Sequence, residues 1–150
     1  MSREDRLSAE ETQMDVASDY DVAARLAGEF FIRGVEIIAR AHDGDLVRGI
    51  IFTAIAVANS ESAPVASAEP SLRPVSVMSI ASSIGVPYET TRRYVNLLVA
   101  EGLCERMGRS GVVVTEAALM RPGMVVAFQE TYTSFNRLVN ALRRFKYPNS

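Results

Sequence analysis

The stretch from Ser76 to Leu103, SVMSIASSIGVPYETTRRYVNLLVAEGL, constrains the fold of this chain more than any other. Val77, Ile80, Ala81 and Ile84 repeat at helical spacing, and Ser76 stands where an N-cap belongs. Gly85 supplies a left-handed residue that stops this helix, and Pro87 starts the next one. The second helix carries Thr91, Tyr94, Val95, Leu98 and Val99 on one side. Its other side shows Glu89, Thr90, Arg92, Arg93 and Asn96, with Tyr88 at the start. Gly102 ends it, and Leu103 begins an extended run. The spacing predicts two helices crossing closely at the small Ala81, with a tight corner at Gly85. The outward residue types suit base edges in a major groove, where Arg pairs with guanine and Asn with adenine.

Two short strand candidates follow, Leu103–Arg106 and Gly111–Thr115, joined by the loop Met107-Gly108-Arg109-Ser110. Helix, corner, helix and basic hairpin together resemble the winged helix-turn-helix transcription regulators of the bacterial MarR-like and IclR-like type. The resemblance covers roughly residues 74–115. It rests on Ile80-Ala81, Ile84-Gly85-Val86-Pro87, Thr91-Arg92-Arg93-Tyr94-Val95, Leu98 and Glu101-Gly102-Leu103. Thr91 departs from it by standing where an aliphatic residue is usual, so looser packing between the two helices is expected there. The resemblance implies double-stranded DNA binding in transcription regulation. The DNA-facing residues would be Tyr88, Glu89, Thr90, Arg92, Arg93 and Asn96 on the helix, with Arg106 and Arg109 on the wing.

Charge divides along the chain in the sense such a protein needs. Residues 1–69 hold six arginines and thirteen carboxylates, a net of −7. Residues 70–150 hold nine arginines and one lysine against five glutamates, a net of +5. The helix-turn-helix thus lies in the cationic half, and phosphate neutralisation dominates nucleic-acid affinity.

Residues 1–18 are polar, with Glu4, Asp5, Glu10, Glu11 and Asp15, and read as a mobile acidic tail. From Asp19 to His42, Val22, Leu26, Phe30, Val35, Ile38 and Ala41 recur at helical spacing, widened by Phe31 and Ile37. His42-Asp43-Gly44-Asp45 breaks that helix, with the single histidine expected to cap its end. Asp45–Asn59 is apolar nearly all round, which asks for a central place as the first helix of a winged domain spanning 44–116. Within that domain, residues 61–74 read as a linker loop containing Pro64, Pro70 and Pro74, and Pro74-Val75-Ser76 offers a short third strand beside the wing.

After one or two helical turns at Thr115–Met120, a long helix is expected from Pro122 to Lys146, within a C-terminal segment of residues 117–150. Val125, Phe128, Tyr132, Phe135, Val139 and Leu142 step along it by alternating threes and fours, a heptad seam. The seam fits either the subunit's own N-terminal helix or a second copy of the chain. The expectation adopted is a homodimer built through Phe128, Tyr132, Phe135, Val139 and Leu142, with residues 19–43 helping.

The lone Cys104 leaves no intrachain disulfide and no zinc cluster, and reads as a buried small hydrophobe in a reducing cytoplasm. The polar N-terminus does not read as a signal peptide, and no apolar run is long enough to span a bilayer. No phosphate loop, metal-spaced cluster or nucleophile–base set is present in the sequence. The expectation is therefore a mainly helical, non-enzymatic, cofactor-free DNA-binding regulator. Two other readings stay open. One is a winged helix used for protein interaction. The other is a regulator with a small-molecule effector between the apolar helices, lined by Phe30, Phe31 or Phe128.

Overall fold

The computed structural model describes residues 2–60 and 72–144. In chain order the elements are α1 (Arg3–Ala41), α2 (Leu46–Ser60), β1 (Val75–Ser76), α3 (Val77–Ile84), α4 (Tyr88–Ala100), β2 (Cys104–Met107), β3 (Gly111–Val114), α5 (Glu116–Leu119) and α6 (Pro122–Arg144). They form two compact units. Residues 38–128 make one, and residues 1–37 with 129–150 make the other. Of the expected linker, residues 61–71 lie outside the described residues, as does Lys146 at the expected end of the last helix.

In the 38–128 unit, α2 is the central helix. Ile51, Phe52 and Ile55 are buried with Val77, Ile80, Val95, Leu98, Leu103, Val112 and Val114. Ala118 and Met124 close the same core, so the unit runs past residue 116 into the first turn and more of α6. Val47, Ile50 and Val57 of α2 stay exposed in the single chain.

The strands form one antiparallel sheet of order β1-β3-β2. Val75 pairs with Val112, and Arg106 faces the same Val112 from the other side. The expected third strand is present but only two residues long. Gly111 is required where β3 starts, because a Cβ there would lie 2.4 Å from the Met107 carbonyl and 2.6 Å from Pro74 Cβ. Asn59, fully buried near the end of α2, continues the ladder past Val112, ahead of the first residue of β1. Its amide donates to the carbonyls of Val112 (3.1 Å) and Arg73 (2.6 Å), and its oxygen accepts from the Val114 N–H (3.0 Å).

His42 differs from its expected role. It is buried, with its ring centroid 5.2 Å from that of Phe52. Gly49 makes room beside it, since a Cβ on Gly49 would approach Ile38 Cγ2 to 2.4 Å and the imidazole Cδ2 to 3.0 Å. Burial, reinforced by the Arg48 charge, holds the imidazole pKa below its ordinary 6.5. The unfolded chain therefore takes up a proton that the folded chain resists. Stability is complete above pH 6.5 and falls as pH drops from there toward the lowered folded pKa. We expect the urea midpoint to drop between about pH 7.5 and about pH 5.5, and His42→Gln to flatten that drop. An equal drop in the variant would assign it to other groups.

The second unit joins most of α1 to most of α6. The helix begins at Arg3, so the mobile tail expected up to residue 18 gives way to helix. The cause is a capping box: Ser2 N–H donates to Asp5 Oδ2 (2.9 Å), and Asp5 N–H donates back to Ser2 Oγ (3.2 Å). These bonds hold the Asp5 carboxyl below the usual carboxylate range. Phe30 meets Phe135 edge to face at 6.3 Å, and Arg33 lies 3.8 Å from Glu130. Val22, Leu26, Phe30 and Val35 are half-buried and Ile37 is buried, while Phe31 and Ile32 stand exposed on the other side.

Candidate nucleic-acid interface

The corner between α3 and α4 is built as its residues dictate. Ser76 Oγ accepts the Ser79 N–H at 3.1 Å, and Gly85 closes α3 at φ 67°. Pro87 occupies the N-cap of α4, and its carbonyl accepts both the N–H (3.0 Å) and the hydroxyl (3.1 Å) of Thr91. Thr91 is 0% exposed. The looser packing expected at this position is absent, because the back-bonded hydroxyl lets threonine pack as an aliphatic residue would. Tyr94 and Asp45 tie α4 to the start of α2 at 3.4 Å. The Arg48–Glu101 ion pair ties its end, where Arg121 also donates to the Glu101 carbonyl at 3.2 Å.

With Thr91, Val95 and Leu98 buried, Glu89, Arg92, Arg93 and Asn96 form one exposed stripe. Together with Thr90 and Leu97 they line a shallow groove of about 410 Å³. Tyr88 is exposed at the start of α4, and Thr90 is half-buried. Glu89 receives Arg92 Nε and Nη2 on one carboxylate oxygen, at 3.1 and 3.0 Å. This pairing raises the guanidinium pKa above its already high ordinary value. Arg93 places its guanidinium carbon 5.8 Å from the Tyr94 ring centroid.

The wing is the β2–β3 hairpin, turned at Gly108 with φ 67°. Arg109 is exposed at its tip. Arg106 sits within the expected strand, β2, and reaches back to α4, where Nη2 donates to Asn96 Oδ1 at 2.6 Å. The structure thus brings Glu89, Thr90, Arg92, Arg93, Asn96 and Arg106 onto or against one helix face and leaves Arg109 as the outlying cation. The Arg106–Asn96 bond links residues ten apart through the Glu101-Gly102-Leu103 turn. The spacing of that turn is the one sequence feature that bears on it.

Cys104 is buried in β2, and desolvation pushes its thiol pKa up to about 12. A thiol so shifted is a poor nucleophile. Among the described residues no group of three His, Cys, Asp or Glu side chains is placed to hold a metal ion, and no helix is long and apolar enough to cross a membrane. In the helical unit, Leu26, Glu29, Phe30, Ser134, Arg137, Leu138 and Ala141 line a cleft of about 290 Å³. Of the expected effector-lining residues it includes Phe30 but neither Phe31 nor Phe128.

This arrangement is a winged helix-turn-helix with additional N- and C-terminal helices. No protein-family model and no curated protein matches the chain. Among solved structures, RV1404 from Mycobacterium tuberculosis is similar to it, with a TM-score of 0.52 at 17% identity over 91% of this chain and 83% of that one. Disulfide-formed AbfR gives a TM-score of 0.41 at 13% identity over 96% and 97%. The first likeness is one of fold alone, and the second is too loose to add to it.

Proposed function

We propose that this protein is a sequence-specific double-stranded DNA-binding transcription regulator that acts as a homodimer and by binding, without catalysis. The observation that carries the reading is the stripe Glu89, Arg92, Arg93 and Asn96. It is exposed along a helix whose opposite face is locked into the core, beside a wing that holds up Arg109. A helix held this way inserts as a rigid body, and its polar face carries donors and acceptors of the types that pair with base edges. The cationic half of the chain supplies attraction to phosphate, and the resemblance to MarR-like and IclR-like regulators points the same way.

The test is fluorescence anisotropy on duplexes selected from genomic fragments, at two salt concentrations. Wild type should lose affinity steeply with salt. The Arg92→Ala/Arg93→Ala double variant should bind the selected duplex more weakly, by about 1–3 kcal/mol for each bidentate guanine pairing it removes. Wild-type affinity in that variant would remove α4 from the interface. Binding without salt dependence, or none to any fragment, would favour a winged helix used for protein interaction.

A further inference from the structure

Two of the side chains on the reading face are already engaged, and both by partners that leave their outer edges free. Arg106 offers only donors, so only the oxygen of the Asn96 amide can face it, at 2.6 Å. That bond is charge-assisted and decides which way round the amide lies. The oxygen keeps a second lone pair, and the NH2 group is directed away from β2. Asn96 can then still accept from adenine N6 and donate to N7, but with its acceptor and donor in one fixed order. Glu89 acts comparably on Arg92. Both bonds fall on the Nε–Nη2 side of the guanidinium, so its plane is set while Nη1 and the outer N–H of Nη2 remain as a parallel pair for the O6/N7 edge of guanine.

We propose that Arg106 and Glu89 are positioning residues that preset Asn96 and Arg92 before DNA arrives, so that base preference depends on two side chains that need not touch a base. This rests on the DNA-binding reading above and assigns Arg106 a role other than binding phosphate. The outlying Arg109 is left to meet the backbone. Preorganised readers lose less rotamer freedom on binding and reject the alternative amide orientation, which a free asparagine would sample.

The experiment starts with wild type and a duplex pool randomised over one central segment. The enriched duplex and its single base-pair variants are then measured by anisotropy against Arg106→Ala, Asn96→Ala, their double variant and Glu89→Gln. Arg106→Ala should weaken binding to a random-sequence duplex only slightly, as the loss of one nearby positive charge requires, and should lower the log–log salt slope by well under the roughly 0.9 of a lost phosphate contact. It should lose most of the roughly ten- to hundredfold discrimination at the base pair that Asn96→Ala identifies. The double variant should lose little more than either single one. Glu89→Gln should move two readouts in opposite directions: random-duplex affinity rises as a carboxylate leaves the phosphates' vicinity, and preference at the base pair read by Arg92 falls. Uniform weakening by Arg106→Ala, with the log–log salt slope falling by about 0.9, would make Arg106 a phosphate ligand and overturn the proposal. Discrimination unchanged in Arg106→Ala would overturn it as well. Failure of wild type itself to enrich any duplex would end the DNA-binding reading, and this one with it, before any variant is made.

Discussion

Replacing Asn59 by leucine is expected to destabilise the winged unit by about 3–5 kcal/mol, since buried groups left unpaired cost roughly 1–3 kcal/mol each. The two side chains branch at the same carbon, and leucine's bulkier methyls add crowding to the loss of the polar partners. Asn59 is 0% exposed and makes three side-chain hydrogen bonds. β1 begins only at Val75, so its pairing covers β3 at Gly111 and Val112 alone. Beyond that point the Val112 carbonyl and the Val114 N–H face α2, and the Asn59 amide stands in for the missing strand. The same amide holds the Arg73 carbonyl, while the Asn59 carbonyl accepts the Arg73 N–H at 3.0 Å. Leucine would leave the buried Val112 carbonyl and Val114 N–H, and the part-buried Arg73 carbonyl, without these partners. Such a loss is a large share of the roughly 5–15 kcal/mol that holds a typical domain together. Asn59→Asp should be no better, because it sets a buried carboxylate against two carbonyl oxygens. Urea unfolding gives the magnitude, and hydrogen exchange at the Val114 amide gives the place: its protection should fall further than that of α4. A loss below about 1 kcal/mol in Asn59→Leu would mean that relaxation or water replaces all three bonds.

Asn59 also shows where sequence reading ends. Its partners lie 53 and 55 residues further along. Within Asp45–Asn59, an asparagine near a helix end looks like an ordinary terminus, and nothing local marks it as a strand surrogate. Gly49 is silent for a similar reason, because the side chains that exclude a Cβ there belong to the preceding helix and the turn after it. The corner at Gly85, the cap at Ser76 and the hairpin around Gly108 are legible because each is settled by residues within one turn of one another. Ser2 and Asp5 are equally local and still escape notice, since the carboxylate density after them outweighs a four-residue capping pattern. At the candidate interface the exposed face of α4 follows from helical period alone. The Arg106–Asn96 bond does not, because it depends on how far β2 turns back after Gly102.

The heptad seam on α6 leads to the other large expected effect. Phe135→Glu should split the proposed homodimer and weaken binding to a two-half-site duplex by roughly 10²–10⁴-fold, the range that applies when a linked second site no longer contributes. Binding to a single half-site should change little. The single chain leaves much of this seam uncovered. Phe128, Tyr132 and Phe135 are 50%, 69% and 49% exposed, with Val139 and Leu142 half-buried on the same seam. On α1, Phe31, Ile32, Met14 and Tyr20 are exposed as well. Two helices with so much bare aromatic and aliphatic surface gain from mutual cover, and burial stabilises by about 25 cal/mol for each Å² removed from water. A second copy offers the same seam, so a two-fold arrangement matches it with no further partner. A glutamate at 135 would have to lose its water or its charge inside that interface. Phe135 also touches Phe30 within its own unit, so Phe135→Glu alone could act through the monomer. Tyr132→Glu separates the two, because Tyr132 is the most exposed member of the seam. Sedimentation of wild type and both variants decides the matter. Dimeric wild type with two monomeric, folded variants is the expected result. A wild type that is monomeric at micromolar concentration, or a Tyr132→Glu variant still dimeric, would leave the α6 seam to its own subunit.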